Sequence, residues 1–330
     1  MTNMDAIKKL AAALLGNVNP DEISGRTIAD VIEYIAENNS EGQARFAENI
    51  KKALKAHNVE MKNIIDERTV LNDGPYKNDV SLESINAPNI TTLYDNVFNS
   101  CFSLTEAIMP NLTTMGSGCF SKCYSLKNID FPKLITCGEE SSDLSFQFCL
   151  SLAKVNLPKL TGNINSYMFN RCISLSDVNI PNATSISYSV FQDCYSLKSI
   201  NLQNVTTIDS NAFGNCVMLT DINISSATSI GRNCFDGCYS LTQVNLPSVT
   251  NIGNYAFQNC FSLNTLILGA NQVVTIPTSD SYDPFQGTLI EKGYGYIYVP
   301  DDLVDSYKSS KNANWLKYAN QIKSISEAVE

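Results

Sequence analysis

One pattern runs through the middle of this 330-residue chain: Phe-x-x-Cys-x-Ser-Leu, with its phenylalanine at Phe98, Phe120, Phe146, Phe169, Phe191, Phe213, Phe235 and Phe257. Successive spacings are 22, 26, 23, 22, 22, 22 and 22 residues. A fixed period of this length marks one supersecondary unit that cannot bury its apolar face alone and stacks on copies of itself. The pattern therefore dictates a solenoid. Such an array offers a long surface for binding but builds no catalytic pocket of its own.

Each unit reads as a short strand, a turn and a return segment. Alternating pairs such as Ile129 and Phe131, Val155 and Leu157, Ile200 and Leu202, or Val244 and Leu246 follow the Ser-Leu and form the inward side of the strand. Pro110, Pro132, Pro158, Pro181 and Pro247 end it, because proline cannot donate the next ladder hydrogen bond. Leu93, Met115, Cys137, Ile164, Ile186, Ile208, Ile230 and Ile252 head the return, and the Phe normally follows five residues later. The irregular spacings place four extra residues within 138–145 and one beside Gly162 and Asn163. Solenoid insertions map to loops on one face. Glu139, Glu140 and Asp143 lie in the longer one; no EF-hand or nonapeptide calcium pattern surrounds them, and they read as a solvated acidic loop.

Eight of the eleven cysteines are the repeat's own: Cys101, Cys123, Cys149, Cys172, Cys194, Cys216, Cys238 and Cys260. Equivalent places in successive coils point their side chains in parallel, a poor geometry for disulfides, so free structural thiols are expected, as suits a reducing compartment. Cys119, Cys137 and Cys234 stand outside this ladder.

The units resemble BspA-type leucine-rich repeats, whose usual form is Ile-x-x-x-x-Phe-x-x-Cys-x-x-Leu-x-x-Ile-x-Leu-Pro. Ile252, Phe257, Cys260, Leu263 and Leu266 illustrate the match, which extends over about residues 82 to 276. The resemblance implies an α/β leucine-rich-repeat solenoid, a right-handed β-α superhelix with a parallel sheet along one side. It also implies adhesion or host-surface recognition without catalytic residues.

The flanks differ in composition. Residues 1–70 read as an N-terminal helical module for docking or oligomerisation. Asn19-Pro20-Asp21-Glu22 has the form of a helix start, Ser40 with Gln43 forms a capping box, and Ile28, Val31, Ile32 and Ile35 line one helical face. Three short helices are expected over residues 3–58, either packed together or paired with other subunits. Lys8 and Lys9 before residues 10–15 superficially resemble an export signal, but Asp5 intrudes and the apolar residues share one helical face, so this is read as an amphipathic helix. Asn72-Asp73-Gly74-Pro75 marks the boundary with the array at residues 71–276. Residues 277–330 read as a C-terminal cap with a strand at 296–299, a helix from Asp301 to Lys308, a turn at 315–319 and a last strand near 322–325. Trp315, the chain's sole tryptophan, is expected to anchor its packing.

Chemistry is sparse. There is no phosphate loop, dinucleotide fingerprint or metal-ligand spacing, and the one histidine, His57, lies near an expected helix end. No catalytic residues, cofactors or metal sites are assigned, and the chain is not read as an enzyme. A net charge of −10 opposes nucleic acid and anionic membrane as partners. No apolar run approaches the roughly 20 residues that span a bilayer, so membrane insertion is not expected.

Two ladders carry the candidate binding residues. Asn156, Asn179, Asn201, Asn223 and Asn245 sit mid-strand between inward residues and should project outward in register, either as a self-bonded amide stack or as a polar face for ligand hydroxyls. The residue after the repeat cysteine is Phe102, Tyr124, Leu150, Ile173, Tyr195, Val217, Tyr239 or Phe261. Its aromatic members Phe102, Tyr124, Tyr195, Tyr239 and Phe261 suit stacking on a sugar or protein partner, and equally a half-buried seam. The functional expectation is a non-catalytic binding protein. It would be a bacteriophage virion component, made in the host cytoplasm, that recognises a cell-surface protein or glycan or decorates the particle. Its helices would meet other virion proteins or further copies of the chain. The alternatives are a bacterial surface or secreted adhesin and a ligand-free spacer.

Overall fold

The computed structural model describes residues 62–65, 70–71, 76–138 and 144–329. The expected helices over 3–58, His57, the turn at residues 72–75 and the acidic loop residues Glu139, Glu140 and Asp143 lie outside these described residues.

Within them the chain coils into a solenoid with two ladders of short parallel strands. One ladder runs through Lys62–Ile65, Leu82–Asn86 and Glu106–Ile108, then through one strand per coil to Gln243–Leu246, Thr265–Leu268, Tyr296–Val299 and Ile322–Ser324. The other runs from Val70–Leu71 through Thr92–Leu93 and Thr114–Met115 to Asn251–Ile252, which bridges to Thr275. Among the described residues every strand pairing is parallel and joins one coil to the next, for example Val155 to Val178 and Ile208 to Ile230. The first ladder continues through Tyr296–Val299 and Ile322–Ser324, so the C-terminal segment adds further rungs as well as covering the end.

The return segments correct the expectation of a β-α repeat. Among the described residues they contain no helix; each is a succession of turns, and its head is a strand of the second ladder. Two residues per return take left-handed backbone, such as Asn211 and Asn215 in one coil and Asn233 and Gly237 in the next. A left-handed residue breaks right-handed helical propagation, and asparagine and glycine tolerate that conformation best. The few helices among the described residues lie at the C-terminal end: α1 (Val304–Lys308), α2 (Ala313–Lys317) and short 3-10 turns. At the single insertion Gly162 takes φ +83°, and the pairing with the next coil shifts register between Gly162 and Asn163.

The core is a spine of stacked rings. Phe98, Phe120, Phe146, Phe169, Phe191, Phe213, Phe235 and Phe257 are fully buried and stack at centroid separations between 5.2 and 5.6 Å. Tyr76 extends the spine at one end (5.3 Å) and Phe285 at the other (6.0 Å). These separations exceed the spacing of about 4.8 Å between strands, so the rings are offset, the favourable arrangement for near-parallel aromatic pairs.

All eleven cysteines are buried and free. The eight ladder thiols donate to the carbonyl of the spine ring one coil back, as in Cys194 Sγ to Phe169 O at 3.2 Å and Cys216 Sγ to Phe191 O at 3.2 Å. The same carbonyl also accepts the N–H of its own coil's cysteine, as Phe169 O does from Cys172 N at 3.1 Å. Both lone pairs of a buried carbonyl are thereby used. Cys119 and Cys234 fill the inward place before the ring, where other coils carry Val190, Ala212 or Ala256, and Cys137 fills a strand place held elsewhere by isoleucine.

Beyond Phe285, α1 and α2 close the C-terminal end. Trp315 packs edge-on against Tyr307 at 4.9 Å and donates its indole N–H to Val274 O at 2.9 Å, while Val274 N donates to the Tyr307 hydroxyl. Tyr318 meets Phe285 edge-on at 5.3 Å and donates to Asp283. Asp283 is almost fully buried and also accepts from Lys317 Nζ at 2.5 Å and Phe285 N at 2.9 Å, so its charge is paired as burial requires. The terminal rung thus ends on hydrogen-bonded polar groups rather than on bare rings, with Asn314 Oδ1 and Gln321 Oε1 buried without a partner.

Candidate binding surfaces

The residue after the repeat cysteine leaves the core in some coils and stays covered in others. Tyr195, Tyr239 and Phe261 are 44%, 46% and 47% exposed. Phe102 and Tyr124 are only 2% and 3% exposed and stack on each other at 4.8 Å. The outward placement expected for those two is therefore corrected: they belong to a buried seam, where the rings are satisfied by one another, and do not present a binding face. Leu150 is buried with them, and Ile173 and Val217 are half-buried.

The exposed part of the strip lies toward the C-terminal side. Tyr239 and Phe261 stack at 5.1 Å, and Lys292 sits 5.7 Å from the centre of the Phe261 ring. Met218, 43% exposed, stands where the other repeats carry serine, and the sequence reading passed over it. The departure from Phe-x-x-Cys-x-Ser-Leu at Met218 was the signal available. Apolar side chains this exposed, grouped on neighbouring coils, form a surface on which a partner gains by burial.

The asparagine ladder is outward and largely self-bonded. Asn179 Nδ2 donates to Asn156 Oδ1 at 2.7 Å, Asn223 Nδ2 donates to Asn201 Oδ1 at 2.9 Å, and Asn156 Nδ2 donates to Asp130 Oδ1 at 2.8 Å. Asp130 is thus the foot of the ladder, a member hidden from the sequence reading because it is not an asparagine. Asn245 lies in register with Ile267, where the ladder turns apolar. Asn156 uses one N–H and one lone pair along the axis, Asn179 and Asn223 one N–H and Asn201 one lone pair, and each keeps further donors and acceptors for solvent or ligand.

A groove of 470 Å³ opens where the first sheet is interrupted between Glu106–Ile108 and Asn128–Asp130, lined by Glu106, Ile108, Lys127 and Asp130 among others. The described residues contain no cluster of three or more histidine, cysteine, aspartate or glutamate side chains able to hold a metal ion. The ladder thiols are chemically quiet: burial pushes the Cys172 and Cys194 thiols well up from their ordinary value of 9.0, which keeps them protonated and poorly nucleophilic. No described helix is long and apolar enough to cross a membrane.

Solved structures found to resemble this chain include a leucine rich cell surface protein from Faecalibacterium prausnitzii, 20% identical, covering 68% of this chain and 80% of that one with a TM-score of 0.36. A leucine-rich repeat protein from Bacteroides ovatus is 18% identical over 81% of this chain and 92% of its own, with a TM-score of 0.30. The T. pallidum leucine rich repeat protein is 19% identical over 56% and 78%, at 0.36. No curated protein sequence matches the chain at a significant level. The BspA type leucine rich repeat region matches residues 51–173 and 139–264, in six copies. The repeat family suggests a non-catalytic binding or surface protein, and no catalytic family is indicated. With that match spanning more than half of its length, and with a ring spine and thiol ladder built by the matched residues, the chain belongs to the family of BspA-type leucine-rich repeat proteins.

Proposed function

We propose that this chain is a recognition protein that binds a cell-surface protein or glycan through the exposed aromatic strip on the C-terminal half of its solenoid. The observation carrying this reading is that Tyr195, Met218, Tyr239 and Phe261 remain exposed on adjacent coils. In the pattern position of Tyr195, Tyr239 and Phe261, by contrast, Phe102 and Tyr124 are buried. Exposed aromatic and methionine side chains are those that interfaces enrich, and burying each against a partner contributes on the order of 1 kcal/mol or more. Nothing observed indicates a phage virion role, so a place on a bacterial surface or in secreted form takes precedence in this proposal over a place in a particle.

The test is saturable binding of the fluorescently labelled full chain to bacterial and epithelial cells, compared with Tyr195→Ala/Tyr239→Ala. Both side chains are exposed, so the variant should fold as the parent does. Binding that falls at least about tenfold in the variant supports the strip. Undiminished binding would discard it, and absence of binding to any cell would favour the spacer role.

A further inference from the structure

A second surface lies on the outward face of the first ladder, around the far end of the asparagine ladder. The strands Ser199–Asn201, Asp221–Asn223, Gln243–Leu246, Thr265–Leu268 and Tyr296–Val299 alternate outward and buried residues, so their first and third side chains face away from the core. Among these ten outward places Asp221 is the only charged residue and none is basic. In register beyond Tyr298 the next strand adds Lys323, so the face carries one carboxylate and one ammonium and no cluster of either sign.

The face changes character along the axis. Its first three strands carry amides and hydroxyls, with Asn223 bonded to Asn201 and donors and acceptors left over on each. In register beyond Asn245 come Ile267 and then Tyr298, and beside them Thr265 pairs with Tyr296. Tyr296 is 39% exposed and Tyr294, two residues upstream, is 77% exposed, the most exposed large apolar side chain among the described residues. Lys323 places its ammonium 3.9 Å from the centre of the Tyr296 ring, a cation–π contact.

We infer that this face binds a neutral polysaccharide, with Tyr294, Tyr296 and Tyr298 as the stacking platform and the asparagine ladder as the hydrogen-bonding track. The apolar faces of a sugar ring stack on tyrosine, while its rim of hydroxyls both donates and accepts, as a primary amide does. With Lys323 the single basic group and Asp221 opposing it, the face has no basic cluster to pair the repeated charges of a uronate or sulfated chain, which favours a neutral polymer. The regular spacing of about 4.8 Å between strands presents a repeating track to a repeating ligand. Because the residues differ from the strip of Tyr195, Tyr239 and Phe261, this inference stands or falls apart from the proposal above.

Affinity electrophoresis of the full chain through gels containing dextran, laminarin, mannan, xylan or galactan tests it, with Tyr296→Ala/Tyr298→Ala, Tyr294→Ala and Tyr195→Ala/Tyr239→Ala alongside. Retardation by at least one neutral polymer is expected. It should weaken at least about tenfold in Tyr296→Ala/Tyr298→Ala and measurably in Tyr294→Ala, and be retained in Tyr195→Ala/Tyr239→Ala. Tyr294→Ala removes a side chain with little burial, so its effect reads binding even if the double variant loses stability. No retardation by any neutral polymer, retardation only by alginate or heparin, or undiminished retardation in both platform variants would overturn the inference.

Discussion

Replacing Phe191 tests whether the ring spine holds the solenoid together or merely fills it. Phe191 is fully buried and stacks on Phe169 at 5.5 Å and on Phe213 at 5.2 Å, with interplanar angles of 9° and 15°. Burying a phenylalanine side chain contributes roughly 1.5–3 kcal/mol, and each aromatic pair adds about 0.5–1.5 kcal/mol beyond area. Phe191→Ala forfeits the burial and both stacks and leaves a cavity between two rings, so a loss of about 3–5 kcal/mol is expected. Phe191→Leu keeps most of the burial and loses both stacks, which predicts about 1–3 kcal/mol. The assay is urea denaturation followed by circular dichroism for the whole solenoid and by fluorescence of Trp315, the sole tryptophan, for its C-terminal end. In a quasi-one-dimensional array a defect in the middle weakens coupling between the halves. The circular dichroism transition of Phe191→Ala should therefore broaden or split, while the Trp315 transition moves less. A leucine variant as stable as the parent would refute the stacking argument and leave Phe191 as volume alone.

Other expectations follow from the thiols and the cap. The nine cysteine pKa values raised by burial include those of Cys123, Cys149, Cys216 and Cys260, and in the unfolded chain these thiols ionise near 9. The unfolded state alone therefore releases these protons as pH rises through about 9, so stability from this source is intact below that pH and falls above it. Urea midpoints at pH 7, 9 and 10 should drop at the last value; equal midpoints at pH 7 and 10 would contradict the burial of these groups. For the same reason maleimide should label native thiols slowly at neutral pH and all of them in denaturant, and rapid stoichiometric labelling of the native chain would count against the ladder. Lys317 bridges Asp283 at 2.5 Å and Glu291 at 2.9 Å; partial burial opposes both charges, yet together these partners hold the Lys317 pKa above its ordinary value, and Gly287 N–H and Lys317 hold Glu291 below. Lys317→Met strands the carboxylate of Asp283 and should cost about 1–3 kcal/mol at the Trp315 transition, reduced from a buried pair because Lys317 is partly exposed; an unchanged transition would show Asp283 to be satisfied without it.

The repeat itself was legible because the same inward residues recur at the same places. Period, ring ladder, thiol ladder, strand positions and proline stops all follow from the need of each coil to present one apolar face to the next. The second ladder was written in the Thr-Thr-Met and Thr-Ser-Ile segments, yet two-residue strands carry too short an alternation to identify alone. The return segments were assigned to helix through family resemblance, while their recurrent asparagines and glycines at the left-handed places, such as Asn211, Asn215 and Gly237, were the contrary local signal. Tyr76 and Phe285 extend the ring spine without the full Phe-x-x-Cys-x-Ser-Leu signature, so only stacking identified them as its ends.

The candidate surfaces divide in the same manner. The amino-acid sequence by itself determined the periodic core, because burial of a repeated apolar face depends on nearest neighbours and those neighbours are copies. It also determined that Asn201 and Asn223 would stand in register and find each other. Tertiary structure alone decided that Tyr195, Tyr239 and Phe261 are open while Phe102 and Tyr124 are closed, and that Lys323 reaches the ring of Tyr296. Equivalent positions in a repeat share direction but not surroundings. Exposure depends on what lies across the surface, which no single repeat encodes.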